Sequence, residues 1–262
     1  MLNDIDLNDI ENIAKEAGIA IMEIYKKDFT VEYKNDKSPL TEADLKANEI
    51  ICNSLRKMYP NIPIVSEEEN QVDYEERKNW NYYWCIDPID GTKEFIKKND
   101  EFTVNIALIY KHTPVLGVVY APALTDMYKS KKGEGAFLNN QELPLKINKD
   151  IKNSINIVAS KSHLSEDTQK FIDNLTLNIQ NSKLVSKGSS LKLCMVAEGI
   201  ADIYPRLAPT MEWDIAAADA IVRESGKMTY QYHSKFNIKN SKLEQPVVYN
   251  KTDLLNPWFV VK

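Results

Sequence analysis

One stretch restricts this chain more than any other: Tyr82-Tyr83-Trp84-Cys85-Ile86-Asp87-Pro88-Ile89-Asp90-Gly91-Thr92-Lys93-Glu94-Phe95. Its first half is the apolar, aromatic run of a buried strand, and it ends in two carboxylates three residues apart. A proline just after the first carboxylate halts a strand ladder and fixes one backbone angle, and Gly91 lets the chain turn closely before Thr92 opens a helical turn. The expected product is a rigid corner at the end of a strand. It aims two acidic side chains and a backbone carbonyl at one point, beside the free N–H groups of a helix start, a geometry suited to Mg²⁺ and a phosphate together. A bare Asp-x-x-Asp is ordinarily an acidic surface turn, so the reading rests on the whole string from Asp87 to Thr92.

At 262 residues with 43% hydrophobic content, the chain can bury a large core as one big domain or two tightly packed halves. Its net charge of −5 advertises no basic field for nucleic acid or bilayers, so an anionic substrate has to be held locally. The start, Met1-Leu2-Asn3-Asp4-Ile5-Asp6, has neither a basic nor an apolar leader region, and no apolar stretch reaches the ~20 residues of a membrane span. The expectation is a cytoplasmic protein, with peripheral attachment at the cytoplasmic face of the inner membrane left open. Cys52, Cys85 and Cys194 are odd in number, far apart and in apolar contexts, so they read as reduced core residues.

Leu7, Ile10, Ala14, Ala17, Ile21 and Ile24 recur at helical spacing, with Asp6 as N-cap. A second helix is marked by Leu45, Asn48, Ile51, Leu55 and Met58 after Thr41-Glu42-Ala43-Asp44, whose spacing is nearly that of a capping box; taken alone, Asp44 is a cap. Ile62 to Val65 is a short strand running into Ser66-Glu67-Glu68-Glu69, ordinarily a solvated acidic loop. Alternation from Phe102 to Tyr110, return from Val115 to Tyr120 and a turn at Gly133-Glu134-Gly135 predict a meander, so the first half is helices on an antiparallel sheet. The pattern loosens over Leu143 to Asp150, which divides the chain at 1–145 and 146–262. The second half alternates as an α/β unit: strand 155–159, helix 166–175, strand 184–186, helix 190–198, strand 201–204 and helix 213–225, with Gly199 and Gly226 closing two helices. Asp214, at the start of the last helix, reads in isolation as a cap or first-turn dipole partner.

Four stretches then line up. Thr41-Glu42-Ala43-Asp44, Ser66-Glu67-Glu68, Asp87-Pro88-Ile89-Asp90-Gly91-Thr92 and Trp213-Asp214-Ile215-Ala216-Ala217-Ala218 resemble, in order and spacing, the motifs of the inositol monophosphatase superfamily of Mg²⁺-dependent, lithium-sensitive phosphatases. The resemblance covers nearly the whole chain and implies an α+β fold, a layered αβαβα sandwich with its site between the halves. Within the superfamily the chain is most similar to the adenosine bisphosphate phosphatases of bacterial sulfate assimilation. The similarity lies in Ser160-Lys161-Ser162-His163, in Gly188-Ser189-Ser190-Leu191-Lys192 running into Val196-Ala197-Glu198-Gly199, and in Tyr204-Pro205-Arg206 with Pro209-Thr210. Ala208 and Ala218 stand where glycines are common in that subfamily, and neither change removes a functional group.

The resemblance implies two or three Mg²⁺ ions. Glu67, Asp87 and the Ile89 carbonyl would hold one, and Asp87, Asp90 and Asp214 a second, with Asp87 bridging. Thr92 would hydrogen-bond the nucleophilic water and pass its proton demand to Asp44 as general base. The substrate-binding set implied is Glu67, Ile89, Asp90, Gly91, Thr92, Asp214, His163, Gly188 and Lys192. The implied reaction converts adenosine 3′,5′-bisphosphate to AMP and phosphate, with no protein nucleophile. Hard oxygen donors suit Mg²⁺, which explains carboxylates in place of His or Cys. The partner expected is a small nucleotide bisphosphate, with no nucleic-acid polymer and no transmembrane segment, in a monomer or homodimer. Two alternatives share the acidic motifs: an inositol or sugar phosphate phosphatase, and a non-catalytic sensor of bisphosphate nucleotides. The intact acidic set disfavours the sensor, because clustered carboxylates repel an anion unless metal sits between them.

Overall fold

The computed structural model describes residues 1–34, 39–146, 154–160, 164–177, 181–233 and 245–262. Helix α1 (Leu7–Tyr25) starts where Asp6 accepts a hydrogen bond from the Asn8 N–H at 2.9 Å, and Ile10, Ala14, Ala17 and Ile21 form its buried stripe. A short antiparallel pair, β1 (Val31–Tyr33) and β2 (Pro39–Thr41), leads into α2 (Glu42–Met58), which packs beside α1.

Seven strands follow in sequence order across one sheet: β3 (Ile64–Ser66), β4 (Tyr82–Asp90), β5 (Thr103–Tyr110), β6 (Thr113–Ala121), β7 (Asp126–Lys131), β8 (Gly135–Leu138) and β9 (Gln141–Glu142). Two short helices interrupt them, α3 (Tyr74–Arg77) before β4 and α4 (Thr92–Ile96) after it. Every neighbour pairs antiparallel except β3 with β4, which run parallel, so the expected antiparallel sheet is a mixed one. The crossover through α3 makes this possible, since parallel neighbours need a connection longer than a tight turn.

Alternation along the central strands explains the layers. Trp84, Ile86, Ile106, Leu108 and Val118 face the core shared with α1 and α2. Tyr83, Cys85, Ala107, Ile109 and Val119 face a second core shared with α6 (Leu191–Glu198) and α7 (Glu212–Glu224). Beyond these helices lie a parallel pair, β10 (Ser154–Ser160) with β11 (Asn181–Lys187), and an antiparallel sheet of β12 (Tyr204–Arg206), β14 (Phe259–Val261) and β13 (Thr229–Gln231). Helix α5 (Glu166–Thr176) covers the far side, where Ile172 packs with Ile157, Ala159, Ile203 and Val260. The order of layers is therefore αβαβα. Among the described residues, no helix is long and apolar enough to cross a membrane.

Three more expectations change. The strand ending in Asp87 continues through Pro88 to Asp90; a register shift between Asp87 and Asp90 absorbs the proline, which a bulge tolerates where a regular ladder does not. The strand expected at 201–204 begins only at Tyr204, because the Asp202 side chain is engaged by the Asn156 N–H and Ile203 makes a single bridge to Ile157. Strands β13 and β14 were not expected: each is three residues long and finds its partner far away in sequence, which local periodicity does not reveal.

Candidate active site

Where β4 ends, Gly91 adopts φ +94°, the left-handed region that favours glycine, and starts α4. This corner forms one wall of a cleft of about 290 Å³. Glu67 comes from the end of β3, Asp87, Ile89 and Asp90 from β4, Gly91 and Thr92 from the corner, and Asp214 from the first turn of α7. Three segments far apart in sequence, at Glu67, from Asp87 to Thr92 and at Asp214, thus meet on one pocket. Lys192 from α6 and Arg206 from β12 line the same cleft, with Ser160, Ser189, Ser190, Tyr204 and Thr210.

Each carboxylate is held by a donor. Asp87 Oδ1 accepts from the Ile89 N–H at 3.0 Å, Asp90 Oδ2 from the Ser190 N–H, and Asp214 Oδ2 from the Met211 N–H at 2.8 Å. Glu67 and Glu68 share Lys34, whose Nζ lies 2.8 Å and 2.5 Å from their carboxylates. Asp44 is buried behind Thr92 and does not line the cleft. Its Oδ2 accepts from the Thr41 N–H at 2.7 Å and the Thr41 hydroxyl at 2.6 Å, completing a capping box, while its Oδ1 accepts the Thr92 hydroxyl at 3.4 Å. Capping the helix and reaching the corner are one arrangement. Thr92 Oγ1 also stands 3.3 Å from the Ile89 carbonyl.

Burial raises the acidic groups towards their neutral forms, and their mutual repulsion adds to it. Asp87 lies well above the usual carboxylate range through burial, then the charges of Glu67, Asp90 and Asp214. Burial pushes Asp214 up to about 8, with Asp90 adding to the shift. Asp90 rises to about 6 through burial, against the pull of Lys192 and the Ser190 N–H. Asp44 also rises to about 6, through burial opposed by its Thr41 bonds. Burial lowers Lys192 to about 8, although Asp90 favours its charge.

The cleft's donor set is hard oxygen, with no His or Cys among its described lining residues. That chemistry fits Mg²⁺, and buried anions that repel one another fit a site completed by cations. No three described His, Cys, Asp or Glu side chains already stand close enough to share one ion, consistent with the separate donors that hold them.

The remaining expected residues divide. Gly188 does not line the cleft; its N–H donates to Glu101 Oε2 at 2.8 Å, and a Cβ there would sit 2.8 Å from both Glu101 O and Glu94 Cγ. Its missing side chain is thus required by packing. His163 lies outside the described residues. Sequence reasoning did not single out Lys34, Arg206, Ser189 or Ser190. The available signals were Gly188-Ser189-Ser190-Leu191-Lys192 and Tyr204-Pro205-Arg206, both already part of the subfamily resemblance, and Lys34 had none.

The family model "Inositol monophosphatase family" matches residues 4–257, and the chain belongs to that family. It is 42% identical to the 3′(2′),5′-bisphosphate nucleotidase CysQ of Salmonella typhimurium over 232 residues, covering 87% of this chain and 92% of the relative. It is 39% identical to the protein of that name from Escherichia coli (strain K12) over 259 residues, covering 97% and 98%. The crystal structure of CysQ from Bacteroides thetaiotaomicron superposes with a TM-score of 0.85 at 40% identity, covering 98% of this chain and 96% of that one.

Proposed function

We propose, from that family membership, that this chain is a Mg²⁺-dependent 3′(2′),5′-bisphosphate nucleotidase that hydrolyses adenosine 3′,5′-bisphosphate to AMP and phosphate. It would serve in cytoplasmic sulfur assimilation. The observation that carries the reading is a single cleft with an acidic wall that includes Glu67, Asp87, Asp90 and Asp214 and three cationic side chains, Lys93, Lys192 and Arg206, of which Lys192 and Arg206 stand on the second-half elements. The acidic wall suits metal and the phosphate to be cleaved, and the cations suit the phosphate that is kept.

Glu67, Asp87 and the Ile89 carbonyl would hold one ion, and Asp87, Asp90 and Asp214 a second. When bound, the ions place positive charge on the phosphoryl oxygens and acidify a water. Lys34 Nζ holds one oxygen of Glu67 at 2.8 Å, so the metal would be met by the other. Thr92 Oγ1 orients the attacking water and relays its proton to Asp44. Raised to about 6, Asp44 is mostly ionised at neutral pH yet basic enough to accept a proton there. The Gly91 and Thr92 N–H groups, at the start of α4, are assigned to phosphate oxygens. Lys192 and Arg206 hold the nucleotide end and make adenosine bisphosphate a better substrate than a sugar or inositol monophosphate.

A phosphate-release panel with Mg²⁺ tests this. The expected result is a kcat/KM for adenosine 3′,5′-bisphosphate at least about tenfold above that for inositol monophosphate, the worth of one charge-assisted hydrogen bond. Faster turnover of inositol monophosphate would overturn the substrate choice.

A further inference from the structure

Ser190 occupies the N-cap of α6 yet makes no side-chain cap bond. A serine there ordinarily spends its hydroxyl on the first turn. Here the hydroxyl leaves the helix for the central sheet: Ser190 Oγ lies 2.9 Å from Thr103 Oγ1 and donates to Asn105 Oδ1 at 3.0 Å. All three side chains are shut away from solvent, at 0% exposure for Thr103, 1% for Asn105 and 2% for Ser190.

The strand register gives this cluster its meaning. Thr103 stands opposite Asp90 and Asn105 opposite Asp87 across β4 and β5, so each pair shares one face of the sheet. The Ser190 N–H meanwhile donates to Asp90 Oδ2. The N-cap residue of α6 is therefore tied through its backbone to a candidate metal ligand, and through its side chain to the strand behind that ligand. The preceding residue, Ser189, takes φ +46°, unusual for a residue other than glycine, and its carbonyl accepts Lys192 Nζ at 2.5 Å. Glu101, just before β5, adds a second tie by accepting the Gly188 N–H at 2.8 Å and lying 3.3 Å from Lys187 Nζ. The turn carrying Lys192 is thereby held from the first half of the chain.

We propose that the buried Thr103–Ser190–Asn105 cluster is a positioning element that fixes the first turn of α6, and with it Lys192, relative to Asp90. The inference rests on the reading of Lys192 as a substrate contact. Thr103 touches no substrate; it acts through Ser190 on the placement of the ammonium group that grips the nucleotide.

The test is a double-mutant cycle in KM for adenosine 3′,5′-bisphosphate with Mg²⁺, using Thr103→Val, Lys192→Ala and both together. Thr103→Val keeps the shape, removes the hydroxyl and leaves Ser190 its bond to Asn105. The expected result is a KM raised about tenfold, the worth of one buried hydrogen bond, with kcat little changed. Thr103→Ser, which keeps the hydroxyl, restores KM. In the Lys192→Ala background Thr103→Val has little further effect, because coupled residues are non-additive. An unchanged KM in Thr103→Val, or an equal rise in both backgrounds, would overturn this inference alone. An unchanged KM in Lys192→Ala would overturn the reading of Lys192 and this inference with it.

Discussion

Replacing Gly117 by alanine tests how the fold delivers Asp214 to the cleft. Gly117 lies in the middle of β6, on the face covered by α7, with no positive φ to explain a glycine there. A Cβ at this position would stand 2.2 Å from the Ala217 carbonyl oxygen and 2.8 Å from Ala220 Cβ. Ordinary contact begins near 3.4 Å, so helix and strand would have to part by about 1 Å. The obstacle is helix backbone and cannot rotate away, which places the cost at the upper end for overpacking, about 3 kcal/mol. For a chain of this size that lowers the melting temperature by about 6–12 °C. Asp214 rides on the first turn of the same helix, and a misplacement of ~1 Å can cost up to about a hundredfold in catalysis. Thermal unfolding and phosphate release, measured side by side, read both effects. Gly133→Ala is the control: a Cβ there meets nothing within 4 Å, and its φ of +81° predicts a loss of only about 1 kcal/mol with activity retained. A Gly117→Ala protein with wild-type melting and turnover would refute the claim that close packing of α7 on β6 sets the site.

Other outcomes follow from the buried charges. Asp44 and Asp90 rise to about 6 and Asp214 to about 8, so the native state holds more protons than the unfolded chain between about pH 4 and 8. The metal-free protein should lose stability as pH rises through that window, and the stabilisation by Mg²⁺ should grow, reaching about 2.7 kcal/mol at a hundredfold excess over Kd. Scanning fluorimetry from pH 5 to 8 checks this, and a metal-free melting temperature that climbs steadily with pH would contradict it. Glu212 is fully buried and accepts bonds from the Tyr83 hydroxyl, the Asn250 and Lys251 N–H groups and Lys251 Nζ; Glu212→Ala should cost about 3–5 kcal/mol in denaturant unfolding, and a loss below about 1 kcal/mol would show the network to be dispensable. Cys52, Cys85 and Cys194 are buried free thiols, with Cys52 pushed up to about 12 by burial, so N-ethylmaleimide should leave the folded enzyme active. Rapid labelling with loss of turnover would give a cysteine a part in the chemistry.

Much of this architecture is legible in the chain because its signals are local. Asp6 and Thr41 announce their helices through side-chain bonds within two or three residues, and alternation from Thr103 to Tyr110 announces a strand with both faces covered. Of the acidic residues, only Asp87 and Asp90 were marked by their own string; Asp44, Glu67 and Asp214 read alone as caps or a solvated loop, and the family resemblance joined them to the site. What remained hidden depends on distance in sequence. Lys34 meets Glu67 and Glu68 across 33 and 34 residues, and Ser190 meets Asp90 across 100. Arg77 reaches Asn250 across 173 residues. Neither composition nor period encodes such pairs, and the continuation of β4 through Pro88 depended on a bulge formed with β5.

The most direct test of the central claim is Mg²⁺-titrated phosphate release from adenosine 3′,5′-bisphosphate by the wild-type protein and by Asp90→Asn, with thermal unfolding to confirm that both are folded. The account predicts release that requires Mg²⁺ in the wild type and falls by at least about a hundredfold in the folded variant, the scale of losing one electrostatic element of a transition-state site. Undiminished release by Asp90→Asn, or by the wild type in the presence of a chelator, would contradict it.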